Sequence, residues 1–271
     1  MSLAGADMQE FIDQERFEQI RKDALCSVRQ HKGIGTLKEK TVHAVLKDYY
    51  TPEREMQEVR LKGYVADIFT GSEVIEIQTA GFNRLREKLD RFLPEYPVTI
   101  VYPIPGTKWI SWIDEQTGVC SSPRKSPVKG NVYKAFYELY KIKPYLKDPN
   151  LRLCFPFLDM EEYRLLNGWS RDRKKGAGRY DRIPVSLTRE VRFDRIEDYG
   201  RLIPADLPEP FTSAEFAKAV SIPKKESGRV LHILNYLQVI ERCGKKGRLY
   251  LYIRKIQNKE ESNESHKKSD H

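Results

Sequence analysis

The sequence has few cysteines and no long hydrophobic run. Its four cysteines, Cys26, Cys120, Cys154 and Cys243, are far apart and form no Cys-x-x-Cys pair. A zinc site built on cysteine pairs and a disulfide scaffold are therefore not expected, and a reducing cytoplasm is the expected compartment. No run of about 18 apolar residues is present, so we expect no helix that spans a membrane. The N-terminus also lacks the basic and then apolar segments of a secretory signal.

The composition is that of a folded chain with one large domain or two ordinary ones. Hydrophobic residues make up 39% of the 271 residues and charged residues 32%. This is too apolar for a disordered chain and too polar for a membrane protein. The 48 Lys and Arg exceed the 39 Asp and Glu, which gives a net charge of +9. Such an excess suits a polyanionic partner such as nucleic acid but does not by itself identify one.

Hydrophobic periodicity and turn residues divide the chain into four parts. We predict an N-terminal helical segment over residues 1–32, an α/β domain over 33–205, a small domain over 208–256 and a disordered tail over 257–271. Three prolines between positions 204 and 210 mark the linker, and the tail has no apolar side chains. Within the α/β domain we expect helices at about 36–49, 82–93 and 131–143, and strands at 64–69, 74–79, 98–102, 108–113 and 151–157.

Two features of this pattern guide the fold prediction. The strand, helix and strand over residues 74–102 indicate a right-handed crossover between parallel strands. The apolar run at 98–102 is typical of a strand that is covered on both faces. Residues 171–195 are basic and include Gly176 and Gly178, which favours a solvated surface loop, with backbone contact to phosphate as the alternative.

The hairpin over residues 64–79 brings two acidic side chains together. If position 69 faces 74, Asp67 lies opposite Glu76 on one face of the sheet, with Cβ atoms roughly 5 Å apart. Gln78 lies two residues beyond Glu76 and points to the same side. Opposed like charges are unfavourable unless a proton or a cation lies between them. Oxygen ligands without cysteine favour Mg²⁺ or Mn²⁺ over zinc.

The preceding predicted helix carries further polar side chains. Glu39, His43 and Lys47 recur every four residues and so share one helical face, which could point to the acidic hairpin. A single histidine on a helix has a packing or capping role as often as a chemical one. A metal ion held by carboxylates can activate water and stabilise a phosphodiester transition state.

This arrangement resembles the PD-(D/E)XK nuclease superfamily, which includes restriction endonucleases and Holliday-junction resolvases. The shared order is an acidic residue on a helix (Glu39), Asp67, then Glu76-x-Gln78, a crossover helix and a parallel strand. The resemblance implies a restriction-endonuclease-like mixed sheet flanked by helices. It also implies that Asp67, Glu76 and the carbonyl of Ile77 hold Mg²⁺ or Mn²⁺, and that Glu39 is an auxiliary acid.

The resemblance departs from the family pattern at one position. Gln78 stands where the family has a lysine, and glutamine can orient a water but supplies no positive charge. Some members of the superfamily also resemble this chain in having Gln there. Arg84 and Lys88 lie on the predicted crossover helix, and we expect them to contact phosphates of the substrate.

The C-terminal part resembles a winged helix-turn-helix domain. A capping box at Thr212 and Glu215 begins a short helix, and a longer helix and two strands follow. The first of the usual three helices is not evident before Phe211, so the domain is either truncated or takes a helix from elsewhere in the chain. Residues 208–256 contain ten Lys and Arg and four Asp and Glu.

These basic side chains point to DNA as the partner. The outward residues of the longer helix are of types that reach phosphates and base edges, and the wing tip of this shape usually contacts the backbone. The alternative is a winged helix that docks another protein. The expected DNA contacts are Lys224, Lys225, Arg229 and Asn235 on the helix, with Ser227 and His232 also outward, and Lys245, Lys246 and Arg248 at the wing tip.

The sequence therefore predicts a metal-dependent DNA endonuclease that hydrolyses phosphodiester bonds. A homodimer would make it easier to cut both strands of a duplex. A second interpretation is a DNA-binding or regulatory protein whose nuclease-like domain does not cut. A third is a junction- or repair-associated partner that acts within a complex.

Overall fold

The fold is given by a computed structural model that describes residues 12–30, 41–168 and 176–255. The predicted auxiliary acid Glu39 and the predicted tail lie outside the described residues. The described chain forms two compact units. We call residues 12–132 and 150–192 the sheet unit, and residues 133–149 and 193–255 the C-terminal unit.

The sheet unit consists of three helices and eight strands among its described residues. Two short 3₁₀ turns, Arg54–Met56 and Phe82–Leu85, lie between them. The elements are α1 (Gln14–Gln30), α2 (Thr41–Tyr50), β1 (Gln57–Leu61), β2 (Tyr64–Phe69), β3 (Val74–Ile77), α3 (Arg86–Phe92), β4 (Val98–Val101), β5 (Ile104–Asp114), β6 (Arg124–Lys125), β7 (Leu151–Leu166) and β8 (Ala177–Phe193).

The strands form a single mixed sheet in the order β1-β2-β3-β4-β7-β5-β6, and β8 pairs with β7. The pairs β3–β4, β4–β7 and β5–β7 are parallel, whereas β1–β2, β2–β3 and β5–β6 are antiparallel. The predicted α/β class is thereby confirmed. The finer description as a restriction-endonuclease-like fold stays a prediction.

The predicted hairpin and crossover are present. Phe69 pairs with Val74 and Ile68 with Ile75, which is the expected register. After the crossover helix, β4 pairs with β3 in parallel and all four of its residues are buried. The apolar stripe of the crossover helix, Phe82, Leu85, Leu89 and Phe92, is buried as well.

Helices α1 and α2 pack with the sheet in one hydrophobic cluster. Phe17 of α1 and Val45 of α2 share this cluster with Ile68, Ile77 and Val101 of three neighbouring strands. All five side chains are at most 1% exposed. Because α2 is held beside β2 and β3, the polar face of this helix comes close to the acidic hairpin.

Several predictions for the sheet unit differ from the structure. Strand β1 was not expected; it pairs with β2 through a turn at Lys62 and Gly63, whose φ values of 52° and 86° suit a two-residue hairpin loop. The basic stretch predicted as a loop is wrong from Ala177 onward, where β8 begins. The buried residues of β8 are interspersed with many charged residues, so the sequence does not show the apolar–polar alternation that is typical of a strand. The strand expected at 151–157 extends to Leu166.

The C-terminal unit combines a helical segment from the middle of the chain with the end of the chain. The 3₁₀ turn Val132–Ala135 leads into this segment, and the linker contains a further 3₁₀ turn, Ile196–Leu202. The other elements are α4 (Phe136–Leu139), a 3₁₀ helix (Tyr140–Lys147), β9 (Phe211–Thr212), α5 (Ser213–Ala219), α6 (Lys224–Tyr236), β10 (Ile240–Lys246) and β11 (Leu249–Arg254).

The predicted capping box begins α5. The side chain of Thr212 accepts a hydrogen bond from the backbone N–H of Glu215, and the Glu215 carboxylate accepts one from the backbone N–H of Thr212. The three strands form a small antiparallel sheet in the order β10-β11-β9. Residues 133–149 pack against α6. This segment was expected to continue the α/β pattern instead.

No helix in the described ranges is both long and apolar enough to cross a membrane.

Replacement of Ile100 in β4 by alanine should strongly destabilise the sheet unit. Ile100 is fully buried, and such a truncation removes apolar contacts and leaves a cavity. We expect Ile100→Ala to lower the free energy of unfolding by about 2–5 kcal/mol in urea denaturation. Exposed Arg91→Ala on α3 is the control and should change it by less than about 0.5 kcal/mol. Equal effects of the two changes would show that β4 is not a core strand.

Candidate active site

The two acidic residues of the hairpin lie close together. Asp67 is in β2 and Glu76 is in β3, and the observed register places them opposite each other. The backbone N–H of Ile77 donates a hydrogen bond of 2.8 Å to Oδ2 of Asp67, across the same strand pair. The charge of Asp67 also acts directly on Glu76, as shown below by the Glu76 pKa. The predicted pairing of the two carboxylates is therefore what the backbone geometry produces.

Glu76 is buried and forms an ion pair with Lys88 of α3. The Glu76 side chain is 1% exposed, and Nζ of Lys88 lies 2.8 Å from Oε1 and 2.7 Å from Oε2. Burial and the neighbouring charge of Asp67 raise the pKa of Glu76 to about 7, although Lys88 acts in the opposite direction. The hairpin thus holds a carboxyl group that exchanges its proton near neutral pH, which is typical of functional sites.

His43 of α2 lies on the other side of Asp67. Its Nε2 atom is 3.2 Å from Oδ2 of Asp67, and its side chain is 23% exposed. Lys47, predicted on the same helical face, is buried and pairs with Glu58 at 2.7 Å instead. Of the three residues in the four-residue repeat, His43 approaches the acidic hairpin, Lys47 does not, and Glu39 is outside the described residues.

Gln78 follows the end of β3. Its backbone N–H donates to the carbonyl of Val101 and extends the parallel pairing with β4 by one step. The Gln78 side chain is half-buried, and strand alternation places it on the same face as Glu76. Its predicted role beside the two carboxylates stays a prediction, as does the metal contact of the Ile77 carbonyl.

The basic residues near the crossover helix have different surroundings. Arg84 lies in the 3₁₀ turn before α3 and is exposed, which is compatible with a phosphate contact. Lys88 directs its ammonium group at Glu76. The sequence contained a signal for this, because position 88 lies on the same helical face as the buried Leu85, Leu89 and Phe92 and so faces the sheet.

The described residues contain no group of three or more His, Cys, Asp or Glu side chains arranged to hold a metal ion. A Mg²⁺ site can form with fewer than three such side chains, since Mg²⁺ is often held by one or two carboxylates with water and substrate oxygens as its other ligands. Asp67 and Glu76 supply two carboxylates, and their mutual repulsion would be relieved by a cation. The donor set therefore fits Mg²⁺ or Mn²⁺, with Lys88 as a competitor for Glu76.

Helix α6 of the C-terminal unit carries the predicted DNA contacts in two different settings. Lys224 and Lys225 are exposed, and Asn235 is half-buried. The guanidinium of Arg229 lies 4.9 Å from the ring centre of Tyr137, whose side chain is 51% exposed. Arg229 is thus held against an exposed aromatic ring of the helical segment.

Two further residues of α6 were expected to face outward. Ser227 is fully buried and donates a hydrogen bond to the carbonyl of Ser213, so this expectation was wrong; the small side chain lies where α6 contacts α5. His232 is half-buried beside Tyr140, with ring centres 5.4 Å apart. Its Nε2 atom is 3.3 Å from Nζ of Lys143.

The tip of the β10–β11 ribbon is strongly basic. Lys245, Lys246 and Arg248 are all exposed. Nζ of Lys245 lies 5.2 Å from the ring centre of Tyr250, and the guanidinium of Arg242 lies 4.0 Å from the same ring. Cations beside an exposed aromatic ring are a surface that suits a nucleic-acid backbone and its bases.

The raised pKa of Glu76 predicts a characteristic pH dependence of stability. The folded chain keeps a proton on Glu76 up to about pH 7, whereas the unfolded chain loses it near the ordinary pKa of 4.5. The stability of the native sequence should therefore fall, relative to Glu76→Gln, as pH rises from 4.5 to about 7. We expect a change of roughly 2 to 3 kcal/mol in urea unfolding with EDTA present.

A second variant identifies the cause of this dependence. Asp67→Asn removes the neighbouring negative charge, so it should shrink the pH-dependent change while burial still maintains part of it. A stability difference between the native sequence and Glu76→Gln that does not vary with pH would contradict the buried carboxyl pair.

Comparison with known proteins identifies relatives but no activity. Residues 40–194 match the family described as "Domain of unknown function (DUF8091)". The chain is 28% identical over 226 residues to a protein of Treponema pallidum (strain Nichols) named "Uncharacterized protein". The aligned region covers 81% of this chain and 86% of the relative. No solved structure matches the chain. The match to the family spans most of the sheet unit, including the hairpin with Asp67 and Glu76, and on this basis the chain belongs to the DUF8091 family.

Proposed function

We propose that this chain is a metal-dependent DNA endonuclease, in which the sheet unit hydrolyses a phosphodiester bond and the C-terminal unit binds duplex DNA. The observation that carries this proposal is the buried Glu76 carboxyl opposite Asp67, with a pKa raised to about 7. A folded protein does not gain stability from two opposed carboxylates in an apolar setting. Their retention is understandable if a cation and a substrate use them.

The order of elements supports the PD-(D/E)XK interpretation of the sheet unit. The antiparallel β2–β3 hairpin carries Asp67 and Glu76, the buried stripe of α3 follows, and β4 returns parallel to β3. Helix α2 packs beside the hairpin with His43 next to Asp67. The hairpin, the crossover helix and the parallel return of β4 are features that the superfamily resemblance implies, whereas the contact of His43 with Asp67 is not part of it.

Asp67 and Glu76 would hold Mg²⁺ or Mn²⁺, together with the carbonyl of Ile77. When bound, the ion would stabilise the charge that develops on the phosphate and make water a better nucleophile. The ammonium of Lys88 is paired with both oxygens of Glu76, so the metal and Lys88 compete for this carboxylate.

The surrounding side chains have complementary roles in the proposed reaction. Lys88 supplies the positive charge that Gln78 lacks, and once displaced from Glu76 it is available to a phosphate oxygen. Gln78 orients a water through its amide. His43 fixes the orientation of the Asp67 carboxylate through their 3.2 Å contact.

For the C-terminal unit we propose a winged helix-turn-helix that binds DNA. Residues 133–149 provide its first helix, α5 and α6 provide the other two, and the β10–β11 ribbon provides the wing. The charge excess and the exposed Lys224, Lys225, Lys245, Lys246 and Arg248 support DNA over a protein partner. A homodimer of the chain would bring two cutting sites to the two strands.

A second candidate function is a DNA-binding or regulatory protein that does not cut. The observation that favours it is the ion pair between Lys88 and Glu76, which satisfies the buried carboxylate without a metal. Gln78 in place of lysine points in the same direction. The two functions share the DNA-binding unit and differ only in cleavage.

Cleavage of supercoiled plasmid in the presence of Mg²⁺ or Mn²⁺ tests the first function. We expect nicking by the native chain and its loss, by about 100-fold or more, in Asp67→Asn and Glu76→Gln, because each change removes charge from the proposed metal site. DNA binding should be retained in both variants. The assay is a gel time course over a series of divalent metals.

Glu73→Gln, in the loop of the same hairpin, is the matched control and should cut like the native chain. Glu73 contacts Thr99 and Arg152 rather than the acidic pair. If the native chain binds DNA but never cuts it with any of the metals, the second candidate function replaces the first.

Charge reversal at the ribbon tip tests the DNA-binding role of the C-terminal unit. Lys245→Glu combined with Lys246→Glu should weaken duplex binding by about tenfold or more at low salt. It should also reduce the slope of log K against log salt by about 1 to 2, since fewer counterions are released. Fluorescence anisotropy over a salt series measures both quantities.

The control for this change lies at the other end of the same ribbon. Lys255 follows β11 and is exposed, and Lys255→Glu should leave the salt slope nearly unchanged. Unchanged binding by the double variant would instead indicate that the ribbon docks a protein.

A further inference from the structure

A second charged cluster lies in the sheet unit, where β5, β7 and β8 come together. Its centre is Glu162 of β7, whose side chain is 1% exposed. Nζ of Lys108 lies 3.0 Å from Oε2 of Glu162, and Nη2 of Arg164 lies 2.7 Å from Oε1. Arg179 of β8 lies slightly farther away, with its Nε 3.8 Å from Oε2.

Arg182 of β8 adds a fourth cation to this cluster. It is 9% exposed, and its Nη2 atom is buried without a hydrogen-bond partner in the described part of the chain. Burial and the nearby charge of Arg179 lower the pKa of Arg182, whereas Glu162, Tyr102 and Asp181 act in the opposite direction. Buried guanidinium nitrogens are nearly always hydrogen-bonded, because an unmatched donor costs free energy.

The charges in the cluster do not balance. Lys108, Arg164 and Arg179 contact Glu162, while Arg182 interacts electrostatically with Glu162 and with Asp181. Burial opposes ionisation of Glu162, but Lys108, Arg164 and Arg179 outweigh it and lower the pKa of Glu162. Glu162 is therefore an anion, and the cluster keeps an excess of positive charge that a further anion could compensate.

The cluster is accessible from solvent. The side chain of Arg179 is 50% exposed and that of Arg164 is 33% exposed, while Lys108 is 17% exposed. An anion could thus reach the guanidinium groups from outside and meet Arg182 at the inner end. This combination of an open side and a buried unmatched donor is what distinguishes the cluster from a structural ion-pair network.

The cluster and the candidate active site are connected through the end of β4. Arg182 interacts electrostatically with Tyr102, the residue that follows β4. Gln78, which follows β3, donates its backbone N–H to Val101, the residue before Tyr102. Gln78 and Tyr102 therefore follow the carboxyl ends of two neighbouring parallel strands, β3 and β4.

We propose that Lys108, Arg164, Arg179 and Arg182 form a phosphate-binding site for a nucleic-acid substrate. Guanidinium forks and an ammonium group match the several oxygens of a phosphate, and Glu162 holds Lys108 and Arg164 in place for it. The inference builds on the proposed nuclease function, because it assigns a second phosphate contact of the same substrate. The bound group is either an internal phosphodiester or a terminal phosphate of the strand.

The first test uses inorganic phosphate with the full chain in EDTA, so that it does not depend on cleavage. Phosphate should raise the melting temperature of the native chain more than chloride at equal ionic strength, since a ligand that binds the folded state stabilises it. This effect should be lost in Arg179→Ala and in Arg182→Met. Arg60→Ala, an exposed arginine on β1, is the matched control and should keep it.

The second test measures binding of short oligonucleotides with a 5′-phosphate or a 5′-hydroxyl. Arg179→Ala should weaken binding about tenfold and lower the salt slope by about 1, whereas Arg60→Ala should not. A preference of the native chain for the 5′-phosphate that Arg179→Ala removes assigns the site to a terminal phosphate. Equal binding of the two oligonucleotides, weakened equally by Arg179→Ala, assigns it to the internal backbone.

The outcomes separate this inference from the proposed function. Phosphate stabilisation and oligonucleotide binding that are the same in Arg179→Ala, Arg182→Met and the native chain would overturn the phosphate site even if the chain cuts DNA. Loss of these effects in the two variants supports the site even if no metal promotes cleavage. Arg179 is exposed, so Arg179→Ala keeps the test decisive should Arg182→Met fail to fold.

Discussion

The buried carboxyl of Glu76 is the constraint around which the sheet unit is arranged. Burial and the opposed Asp67 both disfavour its ionised form, while the ammonium of Lys88 favours it. To hold these groups together, the chain needs the β2–β3 hairpin in one register and the crossover helix packed against the sheet. The apolar stripe of this helix and the fully buried β4 supply that support.

In the proposed nuclease, the same arrangement sets cleavage against metal-free stability. Lys88 compensates part of the cost of the buried charge of Glu76, although the pKa of Glu76 stays raised to about 7. A divalent cation would replace Lys88 at Glu76 and release its ammonium toward a substrate. Under the first proposed function the ion pair is the resting arrangement of the site, and under the second it is the permanent one.

Positive charge is concentrated in two kinds of places in this chain. The C-terminal unit displays lysine and arginine on exposed surfaces, with Tyr137 and Tyr250 beside Arg229 and Lys245. In the sheet unit, three cations contact Glu162, and the nearby Arg182 lacks a hydrogen-bond partner for one nitrogen among the described residues. A surface patch suits a long polyanion, whereas a partly enclosed cluster suits a single phosphate group.

The sequence predicted the local elements that hydrophobic periodicity and turn residues determine. The register at Phe69 and Val74, the parallel return of β4, the capping box of α5 and the pairing of Asp67 with Glu76 all follow from short-range patterns. Strand β8 was missed because its charged residues hide the alternation of buried positions. The origin of the helix that packs on α6 was left open, since residues 133–149 are some sixty positions away from β9.

The tertiary structure alone decided which charges meet. Lys88 pairs with Glu76, Lys47 pairs with Glu58, and Lys108 and Arg179 approach Glu162 from two other strands. Long charged side chains have no periodic signature, and their partners depend on packing between segments that are distant in sequence. The sequence by itself determined the hairpin and its two carboxylates, because strand alternation acts between close neighbours; the cations around them depended on the folded sheet.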